Sequence, residues 1–297
     1  MSDAHEAISR RPGAATPQAA AEWSRRDVIV TNLRAVLGRA YPRIFGSTRE
    51  RSWIFFEIAL PFLTTSAFVF VYRALNAPNE YIGFVVLGGA MTAFWINVLW
   101  LMAAQLYWEK DQGNLELYFT TPIDMMSILF GMAIGGLVAS SLRAVVVLVV
   151  GALVYGVQFR IEQWGVLLLV FLLTLAALYG LGMVLASVFL VTGREAWHLA
   201  NLLQEPVYFV SGLNFPVLRL GFLGALALGS IPLAVGLDAM RQLAFVGAPV
   251  PVGTPPPEVE VLILVAMTVV FLLVARWALR AMEQLARREG RLTVRWG

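Results

Sequence analysis

From Met125 to Val157 the chain runs through aliphatic residues, glycines and serines with one charge, Arg143. About 20 such residues span the hydrocarbon core of a bilayer, and no soluble core hides a helix that is apolar all round at this length. Comparable runs recur at Trp53–Tyr72, interrupted by Glu57 and Pro61, at Tyr81–Leu106 and at Trp164–Val191. A fifth begins at Ala196–Val210 and a last at Val259–Ala275. Composition agrees: 59% of residues are hydrophobic and 14% charged, against about 45–50% and about 25% in soluble domains. Backbone polar groups in lipid must be satisfied within their own segment, so the expected fold is an all-α integral membrane protein with six transmembrane helices.

The remaining segments organise around those spans. Residues 1–22, rich in Ala, Pro, Ser and Thr, read as a disordered cytosolic tail. Residues 23–51 read as an interfacial amphipathic helix, lying in the membrane plane, with apolar Ile29, Leu33, Val36, Leu37, Ala40, Tyr41 and Ile44 and with Arg34, Arg39 and Arg43 between them. The six-span domain covers 52–283 and a basic cytosolic tail 284–297. Between spans five and six, 217–245 is apolar but broken by Gly221, Gly224, Gly229, Pro232 and Gly236, which predicts a re-entrant helical pair on the outer side. Pro249–Pro257 follows as a proline-rich external loop.

Basic residues set the orientation. Those from Arg25 to Arg51, those from Arg276 to Arg295, Lys110 and Arg194 fall on one side, against Arg73, Arg160, Arg219 and Arg241 on the other. The positive-inside rule then puts both termini in the cytosol. The abundance of Arg over Lys points to a bacterium, and the location to its inner membrane.

Several chemistries are excluded. There is no cysteine, and the histidines are His5 and His198, so neither a disulfide framework nor a metal site is expected. The one lysine, Lys110, stands in WEKDQ, where no phosphate-binding loop can form. No nucleophile triad or paired carboxylates occur in a water-accessible segment, so no catalytic residues are expected. The basic residues sit beside apolar runs, not on a soluble module, which argues against nucleic acid.

The charged stretch between spans two and three, Tyr107–Pro122, is the strongest remaining signal. Its charges force it into water. As a short amphipathic helix it would turn Leu115, Leu117, Tyr118 and Phe119 to the membrane and Glu109, Asp111, Gln112 and Glu116 to water, although on composition a solvated turn serves as well. Glu109, Lys110, Asp111, Gly113, Leu115, Glu116, Thr121 and Pro122 follow the pattern E-(R/K)-E-x-G-T-L-E-x-L-x-x-T-P, with Asn114 in place of Thr and Asp111 in place of Glu. Far downstream, Ser211, Gly212, Phe215 and Pro216 match SGxxFP, and Pro232, Leu233, Asp238 and Arg241 match P-L-x-x-x-x-D-x-x-R. On these ordered motifs the chain resembles the ABC-2 family of exporter membrane subunits.

The resemblance implies a coupling helix at 107–122 that docks on an ATP-binding subunit through Glu109, Lys110, Asp111, Gly113, Asn114, Leu115, Glu116, Thr121 and Pro122. It implies a pathway lined by Trp95, Asn97, Asn201, Gln204 and Tyr208 between two permeases, identical or related, and an external gate at Ser211, Gly212, Phe215 and Pro216. ATP and Mg would bind two partner ATPase subunits, with no cofactor in this chain, and membrane lipids would surround it. Alternating access would then export a drug-like or lipid-like substrate, with polysaccharide or glycolipid as the alternative. An ion-driven secondary transporter would need more intramembrane carboxylates than Glu57 and Glu205, and a non-transporting scaffold is the third class. Glu57 reads as a snorkelling structural charge. Arg143 and Glu205 stand open between substrate contact and structural pairing, and Asp238 and Arg241 read as an outward i,i+3 pair with no chemistry.

Overall fold

The computed structural model describes residues 25–46, 51–114, 118, 123–192, 196–249 and 251–289. The regular secondary structure of these residues is helical; the only bridge among them pairs Arg160 with Phe245. In chain order the helices are α1 (Arg25–Gly46), α2 (Arg51–Ala74), α3 (Asn79–Ile96), α4 (Gln105–Asp111), α5 (Met125–Tyr155), α6 (Trp164–Thr192), α7 (Ala196–Val210), α8 (Phe222–Ser230), α9 (Pro232–Ala244) and α10 (Pro257–Glu289). A π-helical segment, Asn97–Ala103, joins α3 to α4.

Helix ends follow local chemistry. Asp124 caps α5, its carboxylate accepting the Met126 N–H at 3.0 Å, and Gly156 ends the helix in the left-handed region at φ 70°. Pro232 opens α9 at the first turn, where its missing N–H costs nothing.

α3 and the π segment are buried nearly throughout and form the centre, against α2, α5 and α6. α10 lies along α6. The outer surfaces of α2, α5 and α10 present Phe55, Leu63, Phe70, Leu142, Leu153, Leu262 and Leu273 outward, the inside-out pattern that lipid requires. Among the described residues, four stretches are long and apolar enough to cross a bilayer on their own: Asn79–Asp111, Met125–Tyr155, Trp164–Leu190 and Pro257–Met282. α2 has 24 residues, and Ile58–Ala74 forms a shorter apolar helix within it. α7, with 15 residues, rises only about 22 Å, short of a core of about 30 Å. The result is an all-α multi-pass membrane protein whose helices follow the expected order; among the described residues length and apolarity support four crossings, or five if the bent pair α8–α9 is one span.

A sharply bent helical pair forms where the re-entrant pair is expected. α8 and α9 are joined at Ile231 with a 101° bend, and almost every residue of α9 is buried. α1 is a helix over Arg25–Gly46, within the 23–51 stretch expected to be helical, but it does not stand apart. Its side chains and carbonyls meet α5 in register, Asn32 at Asp124, Val36 at Gly131 and Ala40 at Gly135, so its second half runs alongside α5. A Cβ on Gly131 would sit 2.6 Å from the Val36 carbonyl oxygen, and one on Gly135 would sit 2.9 Å from that of Ala40. The G-x-x-x-G spacing therefore admits the α1 backbone directly. Ile29, Leu33, Leu37, Tyr41 and Phe45 form the opposite, exposed stripe at four-residue spacing.

Candidate functional site

The charged stretch is anchored from inside. Glu109 closes the last turn of α4 and is 4% exposed, so the expectation that it turns to water is corrected. Its carboxylate accepts from Gln105 Nε2 at 2.9 Å and from the Tyr118 hydroxyl at 3.1 Å, and it forms an ion pair with Arg39 of α1. The physical reason is the counter-charge: a buried carboxylate is tolerated only when paired and hydrogen-bonded, and α1 delivers Arg39 to that spot. Arg39 also lies over the Tyr118 ring, 5.9 Å from its centroid. Burial raises the Tyr118 phenol above its ordinary pKa, which keeps it a donor to Glu109.

Beyond this anchor the chain emerges. Lys110 is half-buried, while Asp111 and Gln112 are exposed. Gly113 takes φ 78°, a conformation that glycine adopts without strain. The Asn114 amide donates to Gln112 Oε1 at 3.3 Å. Leu115, Glu116, Thr121 and Pro122 lie outside the described residues.

Above Glu109, a cavity of about 330 Å³ opens between α1, α5 and the π segment, with Arg39, Arg43, Arg143, Asn97, Gln105 and Glu109 in its wall. Burial, and secondarily the neighbouring Arg39, bring the Arg43 guanidinium down to about 10, so it remains charged at neutral pH. Asn97 is 1% exposed and accepts the Tyr179 hydroxyl at 3.1 Å. Sequence reasoning missed the π segment, whose only sign is a polar Asn97 within an apolar run. Such insertions are frequent at functional sites.

Of the proposed pathway residues, Trp95 and Asn97 are buried within the chain, whereas Asn201 is exposed and Gln204 and Tyr208 are half-buried. Gln204 Oε1 accepts the Trp100 indole N–H at 2.6 Å, and its amide donates to Glu205 at 3.1 Å. Asn201, Leu202, Glu205, Pro206 and Phe209 make one continuous exposed face of α7. The two intramembrane charges with described side chains therefore differ: Arg143 is buried against the cavity and Glu205 faces outward. The Glu57 side chain lies outside the described residues.

The two downstream motifs, at 211–216 and 232–241, are joined by Arg241. The expectation of an outward Asp238–Arg241 pair is overturned, because Asp238 and Arg241 are 4% and 2% exposed and make no ion pair with each other among the described residues. Arg241 instead donates to the carbonyls of Phe84 at 3.1 Å, Leu213 at 2.9 Å and Phe215 at 3.0 Å. The bend at 211–216 has carbonyls that no helix satisfies, and a five-donor fork is the side chain suited to collect them. Gly212 takes φ 67°, and Tyr72 donates to the Asn214 carbonyl at 3.0 Å. Ser211, Gly212 and Pro216 are buried, and Phe215 is half-buried with its ring edge-on to Phe209 at 5.4 Å. Gly88 of α3 meets the Leu213 carbonyl so closely that a Cβ would sit 1.6 Å from its oxygen. Sequence reasoning also missed Glu260, fully buried near Asp238 and bonded by the Gln242 amide at 3.0 Å. Its signal is a carboxylate just inside the last apolar run.

Among the described residues no cluster of metal-ligating side chains occurs. A family model described as ABC-2 type transporter matches residues 33–245, which include the charged stretch, the bend at 211–216 and Arg241. No curated protein matches the chain.

Proposed function

We propose that this chain, which belongs to the ABC-2 type transporter family, is the membrane half of an exporter. As a member it is the permease component of an ABC transporter and depends on an ABC ATPase carried by another chain. The finer reading is a pair of permeases, identical or related, with two ATPases that bind ATP and Mg. Both termini lie in the cytosol of a bacterial inner membrane.

One observation carries this reading: the exposed tip at Asp111 and Gln112 rises from a buried anchor at Glu109. A solvated turn needs no such anchor. A loop that receives force does, because a push on Asp111 or Gln112 must reach α1 and α3 without being lost in side-chain motion. The uncovered face of α7 fits a central pathway shared with a second permease, and the short external connections fit a drug-like or lipid-like substrate. Polysaccharide or glycolipid remains the alternative cargo.

The chain has no native cysteine, so single cysteines report cleanly. Gln112→Cys is expected to crosslink to a co-expressed ATPase partner and to do so differently with and without ATP. Vanadate-sensitive hydrolysis by the complex should rise with amphipathic compounds. A stable complex in which Gln112→Cys never crosslinks would refute the docking assignment, and transport in the direction of uptake would refute export.

A further inference from the structure

The cavity above Glu109 has no part in the docking reading, yet its wall is built like a binding site. Three guanidinium groups, from Arg39, Arg43 and Arg143, face a single carboxylate, Glu109, which Arg39 already neutralises. Arg43 makes no hydrogen bond or ion pair among the described residues. It is half-buried, and the Gly135 backbone presses against its Cβ. Asn97 accepts the Tyr179 hydroxyl, which leaves its amide N–H groups to donate. Gly136 and Ala139 keep the floor of the cavity open, since a Cβ on Gly136 would sit 2.2 Å from Asn97 Oδ1. The Arg43 guanidinium, with no partner among the described residues, is costly in such a low-dielectric recess unless an anion shares it.

The depth of the cavity narrows the choice of anion. Counted from Tyr155 at the far end of α5, at about 1.5 Å per residue, Gly136 lies about 28 Å along the helix and Arg143 about 18 Å. Side chains lean toward the helix N-terminus, so Arg143 reaches toward Gly136 and not away from it. With Tyr155 placed at the far boundary of a hydrocarbon core of about 30 Å, the Gly136 end of the recess falls near head-group level on the α1 side. Beside it, the outward stripe Ile29, Leu33, Leu37, Tyr41 and Phe45 offers a surface for acyl chains.

We propose that the recess between α1, α5 and the π segment binds a phosphate group through Arg43, Arg143 and Asn97. Guanidinium forks match phosphate oxygens, and an anionic phospholipid of the leaflet on the α1 side would bring its phosphodiester to this level. Free phosphate shares the chemistry. The inference needs only that the chain sits in a membrane, and so it stands or falls separately from docking and export.

The test uses the full chain purified in non-ionic detergent, without ATPase, and follows thermal unfolding during titration with phosphatidylglycerol, phosphatidylcholine or inorganic phosphate. Saturable stabilisation by phosphatidylglycerol but not phosphatidylcholine is expected. Arg43→Gln should raise the phosphatidylglycerol concentration needed by about tenfold or more, the equivalent of one charge-assisted hydrogen bond. Arg43→Lys, which keeps the charge but loses the fork, should fall between Gln and the parent and serves if Gln does not fold. Saturation by phosphate alone at millimolar levels would assign the site to the free anion. Equal stabilisation by the two lipids, or a full phosphatidylglycerol response in both Arg43 variants, would overturn the proposal.

Discussion

Arg241→Met tests the external assembly most directly. The guanidinium holds three carbonyls, those of Phe84, Leu213 and Phe215, at 2.9–3.1 Å. Hydrogen bonds to a charged donor are worth about 1.5–3 kcal/mol each, and each stranded buried carbonyl costs about 1–3 kcal/mol. The terms describe the same bonds, and burying the arginine is itself costly, so they do not sum. A net loss of about 3–5 kcal/mol is expected, as for breaking other buried charge networks. At roughly 2–4 °C per kcal/mol, the unfolding midpoint falls by roughly 10 °C. Arg241→Lys should lose about half as much, because one ammonium cannot reach three carbonyls in fixed directions. In a Phe215→Cys background, labelling by a membrane-impermeant maleimide should speed up when Arg241 is replaced, since the bend at 211–216 loses its tie. An Arg241→Met protein with an unchanged midpoint and unchanged labelling would refute the claim that Arg241 holds the two motifs together.

Gly88→Ala places a Cβ 1.6 Å from the Leu213 oxygen, so the inserted protein should fail to accumulate, as judged by membrane immunoblot. Glu109→Gln keeps the bonds from Gln105 and Tyr118 within reach but deprives Arg39 of its counter-charge. The complex should assemble and hydrolyse ATP while substrate movement drops severalfold in vesicles. Gly131→Leu drives a side chain into the Val36 backbone and should free α1, seen as faster proteolysis at its arginines with the spans intact. Asn97→Leu strands the buried Tyr179 hydroxyl, for an expected loss of about 1–3 kcal/mol in denaturant titration.

The spans were readable because lipid imposes a one-dimensional rule: a long apolar run becomes a helix, whatever it packs against. The re-entrant pair was readable for a similar reason, since Pro232 and the glycines around it break any continuous helix. Burial of charge was not readable. Asp238 and Arg241 at i,i+3 look like a surface pair, and only the fold shows Arg241 collecting carbonyls from α3 and from the bend at 211–216. Glu109 misled in the same way: its partner Arg39 lies 70 residues earlier, on a helix whose position depends on Gly131 and Gly135. Local pattern reports which residues are charged, whereas long-range packing decides which charges are inside.

Both faces are built on the same rod. Residues from Asn79 to Asp111 run as one helical stretch through α3, the π segment and α4. Its outer part supplies Phe84, held by Arg241, and Gly88, pressed against Leu213. Its inner end supplies Glu109, clasped by Arg39 and Tyr118. A displacement of the loop beyond Glu109 therefore reaches the bend at 211–216 through a single buried helix, with no side-chain relay between. The rod departs from regular α-helical bonding at the π segment Asn97–Ala103, the kind of insertion frequent at functional sites. That is also where the arginine-lined cavity opens, with Asn97 and Leu101 in its wall. An anion held there by Arg43 and Arg143 would lie against the rod at its one π-helical segment.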